Sequence, residues 1–171
     1  MTTDAIVLKK LDIGEADTLY ALYTRDCGKV VARAAGIRKN EAKLRGHLEP
    51  LSRAAVRFVT GKNGEKLIGA TLINFWERLR RRETNMRFAL YIARRVDEQC
   101  FPGERDPALW DLMLTNFSAL DGEDFSDDRG DYFLREFDVG LSRCLGHGDR
   151  GDPDMSGSPL SMAEGARMRY A

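Results

Sequence analysis

The chain is short of the residues on which most enzyme chemistry rests. Its 171 residues contain two histidines and three cysteines. Cys27, Cys100 and Cys144 are odd in number and widely spaced, and no CxxC pair occurs, a pattern unlike a disulfide framework. Cys144 and His147 form a lone CxxH, and a structural zinc needs a second pair. No apolar run approaches the ~20 residues that span a bilayer. The opening MTTDAIVLKKLD lacks a basic leader followed by a long apolar stretch, so the expected compartment is the cytoplasm, with no membrane contact. Ser52, Ser118 and Cys27 have no base or elbow sequence around them. The carboxylates of 121–131 lie in a link expected to be flexible, whereas metal or proton chemistry needs a fixed scaffold. TGKNGEK lacks the spacing and the Ser/Thr of a phosphate-binding loop and reads as a turn. No catalytic residue, cofactor or metal is expected.

Lysine is missing from the whole second half. Residues 1–80 hold 7 Lys and 8 Arg against 4 Asp and 5 Glu, a net charge of +6, whereas 81–171 hold 12 Arg against 12 Asp and 6 Glu, a net charge of −6. The net charge of zero therefore hides a basic half joined to an acidic one, the signature of an anion-binding module linked to something else. Solvated charges scattered over both faces are the plainer alternative.

Five stretches rich in β-branched and aromatic residues fill the basic half: 4–12, 18–25, 28–36, 50–61 and 65–76. Alternation is clearest in the fourth, where Ala54, Val56 and Phe58 point one way and Arg53, Ala55, Arg57 and Val59 the other. Lys62-Asn63-Gly64 predicts a hairpin, with Asn63-Gly64 taking the positive φ of a tight turn. Val30, Ala32 and Ala34 facing inward would place Arg33 outside. Five short strands with one long connection fit a five-stranded Greek-key barrel of the OB type, and a barrel of the SH3 kind fits the periodicity as well. The long connection, AAGIRKNEAKLRGHLEP, carries Arg38, Lys39, Lys43 and Arg45 against Glu41 alone.

Near residue 80 the period becomes helical. Met86, Ala89, Leu90, Ala93, Val96 and Cys100 form one apolar stripe, ended by Phe101-Pro102-Gly103. Asp106-Pro107 predicts a capped restart, followed by Leu109, Leu112, Met113, Phe117 and Leu120. After the acidic link 121–131, Phe133, Phe137, Leu141 and Cys144 or Leu145 form a third stripe. Phe101, Trp110, Phe117, Phe133 and Phe137 read as core, and any left exposed would form a groove for a partner peptide. The sequence therefore predicts an α+β protein: a barrel domain over 1–78, a small all-α helical domain over 79–147 and a loosely ordered tail over 148–171.

The basic half resembles a known family. AIVLKKLDIGEADTL (5–19), LYTRDCGKVVARAAGIRK (22–39) and KLRGHLEPLS (43–52) are similar, in order and spacing, to the opening segments of the bacterial recombination mediator RecO. RFALYIARRVDEQCFPGERDPALWDLMLTNFSAL (87–120) and VGLSRCLGHG (139–148) are similar, more weakly, to its later helices. The resemblance implies an OB fold, DNA repair by recombination, binding of single- and double-stranded DNA, strand annealing, and RecA loading together with RecR. It also implies a contact between the helical domain and the C-terminal tail of single-strand-binding protein, and a nucleoid-associated location. Many relatives carry four cysteines where this chain has Cys144 alone, and relatives continue with more helix. Arg38, Lys39, Lys43 and Arg45 are the expected phosphate contacts, extended by Lys9, Lys10, Arg33 and Arg57, with Tyr20 and Tyr23 as candidate base-stacking platforms. The competing reading is a non-catalytic interaction adaptor of repair complexes with little direct DNA binding.

Overall fold

The computed structural model describes residues 1–13, 17–35 and 47–147. They form two compact units: Met1–Phe75 with Asp97–Arg105, and Trp76–Val96 with the described residues from Asp106 onward.

The first unit is a closed barrel of β1 (Thr2–Ile13), β2 (Asp17–Thr24), β3 (Gly28–Ala34), β4 (Arg53–Gly61) and β5 (Gly64–Asn74), in the order β1-β2-β3-β5-β4. Every pairing is antiparallel except β3 with β5, which meet in parallel through Ala32↔Glu65 and Arg33↔Lys66. The pattern of small and β-branched residues sets the interior: Ala5, Val7, Tyr20, Leu22, Val30, Ala32, Ala34, Leu48, Ala54, Val56, Phe58 and Leu67 share one buried cluster. Arg33 and Arg57 point outward, as the alternation predicts.

The β1–β2 register shifts between Val7 and Lys9. Beside this irregularity Val7 N–H donates to Ser52 O at 3.0 Å and Val7 O accepts from Leu51 N–H at 2.7 Å. Backbone polar groups buried beside a bulge need such partners. Leu51 makes its bond at φ 70, a left-handed conformation that is uncommon for a bulky side chain. The β4–β5 hairpin closes at Gly61↔Gly64. Gly64 alone takes the positive φ (97°) expected of both Asn63 and Gly64. One left-handed glycine after the turn is enough to reverse the strands.

Residues 97–105 complete this unit. Lys29 Nζ pairs with Asp97 Oδ1 at 2.9 Å, Gly103 N–H donates to Lys29 O at 3.0 Å, and Lys29 and Pro102 form a parallel bridge.

The second unit contains α1 (Glu77–Arg80), most of α2 (Glu83–Gln99), α3 (Pro107–Gly122) and α4 (Asp127–Cys144). The buried face of α2 is Asn85, Phe88, Ala89, Tyr91, Ile92, Ala93 and Val96, so Met86 and Leu90 of the predicted stripe lie at its half-buried margin. Asp106 caps α3, its Oδ1 accepting from Ala108 N–H at 2.8 Å and Leu109 N–H at 3.2 Å, with Pro107 in the first turn. The acidic link is shorter than predicted, because Asp127–Asp131 form the start of α4. Asp127 and Asp128 in that first turn interact favourably with the positive end of the helix dipole. Trp110, Phe117 and Phe137 are buried as predicted, whereas Phe101 lies outside the helices and is 70% exposed.

Candidate nucleic-acid interface

Arg38, Lys39, Lys43 and Arg45 lie outside the described residues. The chain on either side of them is held firmly: Ala34 and Leu48 are both in the barrel core, and His47 Nδ1 accepts from Leu72 N–H on β5 at 2.8 Å. The described chain thus ends on this side at β3 and resumes with His47 against β5.

The four described cations divide by their partners. Lys10 sits across from the core residue Tyr20 and faces Glu49 at 3.7 Å. Arg33 is exposed on β3 and ion-paired with Asp17. Lys9 is half-buried on β1, across from Ala21, and it too has a partner. Arg57 differs: it is exposed, opposite Gly69 on β5, and has no acidic partner among the described residues. A Cβ on Gly69 would stand 3.4 Å from its Nη2, an ordinary contact distance, so the guanidinium lies over β5 at this position.

On the same hairpin as Arg57 are two lysines of the predicted turn TGKNGEK. Lys66 is exposed on β5 across from Val59, and Lys62 is exposed at the hairpin tip. Neither has an acidic partner among the described residues. The β4–β5 hairpin thus carries three cations whose charge is available to an anion, interleaved with the exposed Val59 and Ile68. Strand pairing, which the composition of TGKNGEK does not reveal, brings them together.

The aromatic candidates change as well. Tyr20 and Tyr23 are each 1% exposed, so neither offers a ring face to a base. Phe101 is the strongly exposed aromatic in the barrel unit.

In the helical unit Phe88, Phe125 and Phe133 pack together, with Phe125 and Phe133 centroids 4.7 Å apart. Arg129 sits over the Phe125 ring at 5.4 Å. Phe125, Phe133 and the exposed Tyr132 line a surface cleft of about 490 Å³ with Asp128, Arg129 and Glu136. Cys144 is half-buried at the end of α4, and burial, reinforced by the charge of Asp106, pushes its thiol pKa up. Among the described residues no group of three His, Cys, Asp or Glu side chains converges to hold a metal. No described helix is long and apolar enough to cross a membrane.

A closed barrel with β3 parallel to β5 and β1 antiparallel to β4, bearing an uncommitted basic hairpin, defines an OB-fold protein with a helical unit attached. Residues 1–76 match the model of the family described as Recombination protein O N terminal. Over most of its length the chain is similar to DNA repair proteins RecO. It is 30% identical over 146 residues to that of Geobacter metallireducens, covering 85% of this chain and 58% of the relative. It is 28% identical over 144 residues to that of Pelotomaculum thermopropionicum, covering 84% and 54%. It is 33% identical over 122 residues to that of Myxococcus xanthus, covering 71% and 50%. The chain therefore spans about half the length of these curated relatives.

Proposed function

We propose that this chain is a non-catalytic DNA-binding mediator of recombinational repair, holding single- and double-stranded DNA on the basic side of its barrel. The observation that carries this reading is the hairpin cluster Arg57, Lys62 and Lys66, three exposed cations without acidic partners among the described residues, on a barrel that matches the RecO N-terminal family. In OB folds the loop between the fourth and fifth strands is a customary ligand edge. Arg38, Lys39, Lys43 and Arg45, in the connection between β3 and β4, are proposed as further phosphate contacts. Lys9, Lys10 and Arg33 contribute less, because each has a protein partner to exchange for a phosphate.

Such contacts neutralise phosphates and carry little sequence information, so sequence preference is weak. Neutralisation also lowers the repulsion between two strands, which is the physical basis for annealing. RecR, RecA acting through it and the tail of single-strand-binding protein are the proposed partners. The aromatic cleft around Phe125 and Phe133 gives the helical unit a surface for such a contact. In this reading the protein acts in the cytoplasm on nucleoid DNA.

A titration of single- and double-stranded DNA at several salt concentrations tests the reading. Replacing Arg57, Lys62 and Lys66 with Ala lowers affinity and flattens the plot of log K against log salt, by up to about 0.9 per lost duplex contact and 0.7 per single-strand contact. Replacing Arg38, Lys39, Lys43 and Arg45 does the same independently. Unchanged affinity and slope in both variants would favour the interaction adaptor.

A further inference from the structure

Toward the tip of the β4–β5 hairpin, the outer face of the barrel loses its side chains. Arg33, Lys66 and Val59 stand side by side on that face, through the pairs Arg33↔Lys66 and Val59↔Lys66. One step closer to the tip, the alternation puts Val31, Gly64 and Gly61 on the same face, and Gly61 pairs with Gly64. The ladder between β3 and β5 begins only at Ala32↔Glu65. Beside Val31 the two strands part around a cleft of about 740 Å³, whose walls include Val31, Val59, Gly64 and Pro102.

The two glycines differ in why they are glycine. Gly64 has φ +97, a backbone that the turn reserves for it. Gly61 is not among the positive-φ residues, and a Cβ there would meet only Gly64 O, at 3.5 Å, an ordinary contact. The fold therefore accepts a side chain at Gly61. A strand glycine with no packing or backbone reason suits a place where a ligand comes close to the main chain. The result is a bare stretch of backbone with the exposed Val31 and Val59 at its margins. Lys62 and Lys66, exposed and without acidic partners among the described residues, lie on the same hairpin.

We propose that this bare patch seats an unpaired nucleobase. Its ring lies on the Gly61 and Gly64 backbone and against Val31 and Val59, and the phosphates on either side of it meet Lys62 and Lys66. The proposal rests on the reading of the hairpin as a phosphate-binding surface and adds a base-contacting part to it. A duplex satisfies the lysines but keeps its base faces stacked inside, so the patch separates single from double strands. Contact through a ring face is tolerant of sequence, because every base has one. A basic peptide is repelled by the lysines, and a free phosphate leaves the valines uncovered.

The test uses the full chain and three labelled DNAs of equal length: oligothymidine, a strand of abasic tetrahydrofuran sites, and a blunt duplex. Binding is followed by fluorescence anisotropy at one fixed salt concentration and by NMR of the Val31 and Val59 methyls. Oligothymidine is expected to bind about tenfold or more tightly than the abasic strand, the scale of one lost base contact, and to shift the methyls through the ring current that abasic sites lack. Gly61→Val fills the patch and keeps every charge. It should lower oligothymidine affinity to that of the abasic strand and leave abasic and duplex binding unchanged, with Gly61→Ala in between. Equal affinity of the unaltered protein for oligothymidine and the abasic strand overturns the base patch and leaves the phosphate reading standing. No binding of any of the three overturns both. Undiminished oligothymidine binding by Gly61→Val, or an equal loss for all three DNAs in Gly61→Ala, also overturns the patch.

Discussion

Gly28 and Gly130 occupy places where a single added carbon has nowhere to go. Gly28 has φ +64, and a Cβ there would meet Glu104 O at 1.8 Å. That neighbour is backbone, so no rotamer change relieves the contact. Gly28→Ala should lower stability by about 2 kcal/mol or more in a denaturant titration, because a left-handed backbone and overpacking act together. At Gly130 the Cβ would fall 1.9 Å from the Phe88 ring, and Gly130→Ala should displace that ring and cost about 1–3 kcal/mol. Tyr91 is the third residue with a measurable signature. It is buried, its hydroxyl donates to Asp138 Oδ2, and Arg95 Nε donates to Asp138 Oδ1 at 2.9 Å. Burial first, then the bond to Asp138, hold its phenol above the ordinary value of 10.0. Above pH 10 the unfolded chain loses this proton before the folded one, so the stability Tyr91 contributes is complete below pH 10 and declines as pH rises beyond it. Comparing unfolding curves between pH 9 and 11.5, Tyr91→Phe should show a shallower fall than the unaltered protein. Phe101, 70% exposed, belongs to the DNA reading: Phe101→Ala should weaken single-stranded DNA binding roughly tenfold, as loss of one stacked base does, and leave duplex binding nearly unchanged.

Elements are set by their ends as much as by their faces. Asp106→Ala removes two capping bonds from α3 and should cost about 1 kcal/mol, read as a shift in the denaturant midpoint. That start was legible in the sequence because Asp-Pro has a local meaning. So were the five strands, whose period of two needs no knowledge of their neighbours, and the outward placement of Arg33 and Arg57. The face of α2 was less legible. Met86 and Leu90 have the right spacing for a stripe, but Phe88 and Ile92 are buried, and spacing does not say which of two overlapping apolar arcs meets the rest of the fold. The start of α4 was hidden for a different reason. Six acids in 121–131 resemble a solvated link, yet the turn is fastened by Asn85, whose side-chain amide donates to Leu120 O and Glu123 O and whose Oδ1 accepts from Phe125 N–H. No local pattern signals a partner 40 residues away. Lys62 and Lys66 were hidden for the same reason, since Lys66 comes to lie across from Val59, two residues from Arg57, only after pairing.

At the scale of the whole molecule, the contrast between a basic first half and an acidic second half has a structural counterpart in how charge is committed. Arg82 pairs with Asp124, Arg87 with Asp127 and Arg95 with Asp138 in the helical unit, whereas the barrel hairpin keeps three cations without acidic partners among the described residues. The salt dependence of DNA binding should therefore follow changes in the barrel and be nearly insensitive to Arg82→Ala or Arg87→Ala, an outcome checked in the same titrations. The barrel unit is also discontinuous in sequence, since residues 97–105 return to it after the chain has left at Phe75. A fragment ending at residue 76 would keep all five strands but lose the Asp97 carboxylate on Lys29 and the Pro102–Gly103 stretch laid against β3. Its third strand would then show bare backbone to solvent, a surface on which two copies can pair. Such a fragment should self-associate in sedimentation experiments at concentrations where one ending at residue 105 sediments as a single species. The nine residues 97–105 thus act as a chaperoning edge for the barrel, supplied from within the same chain.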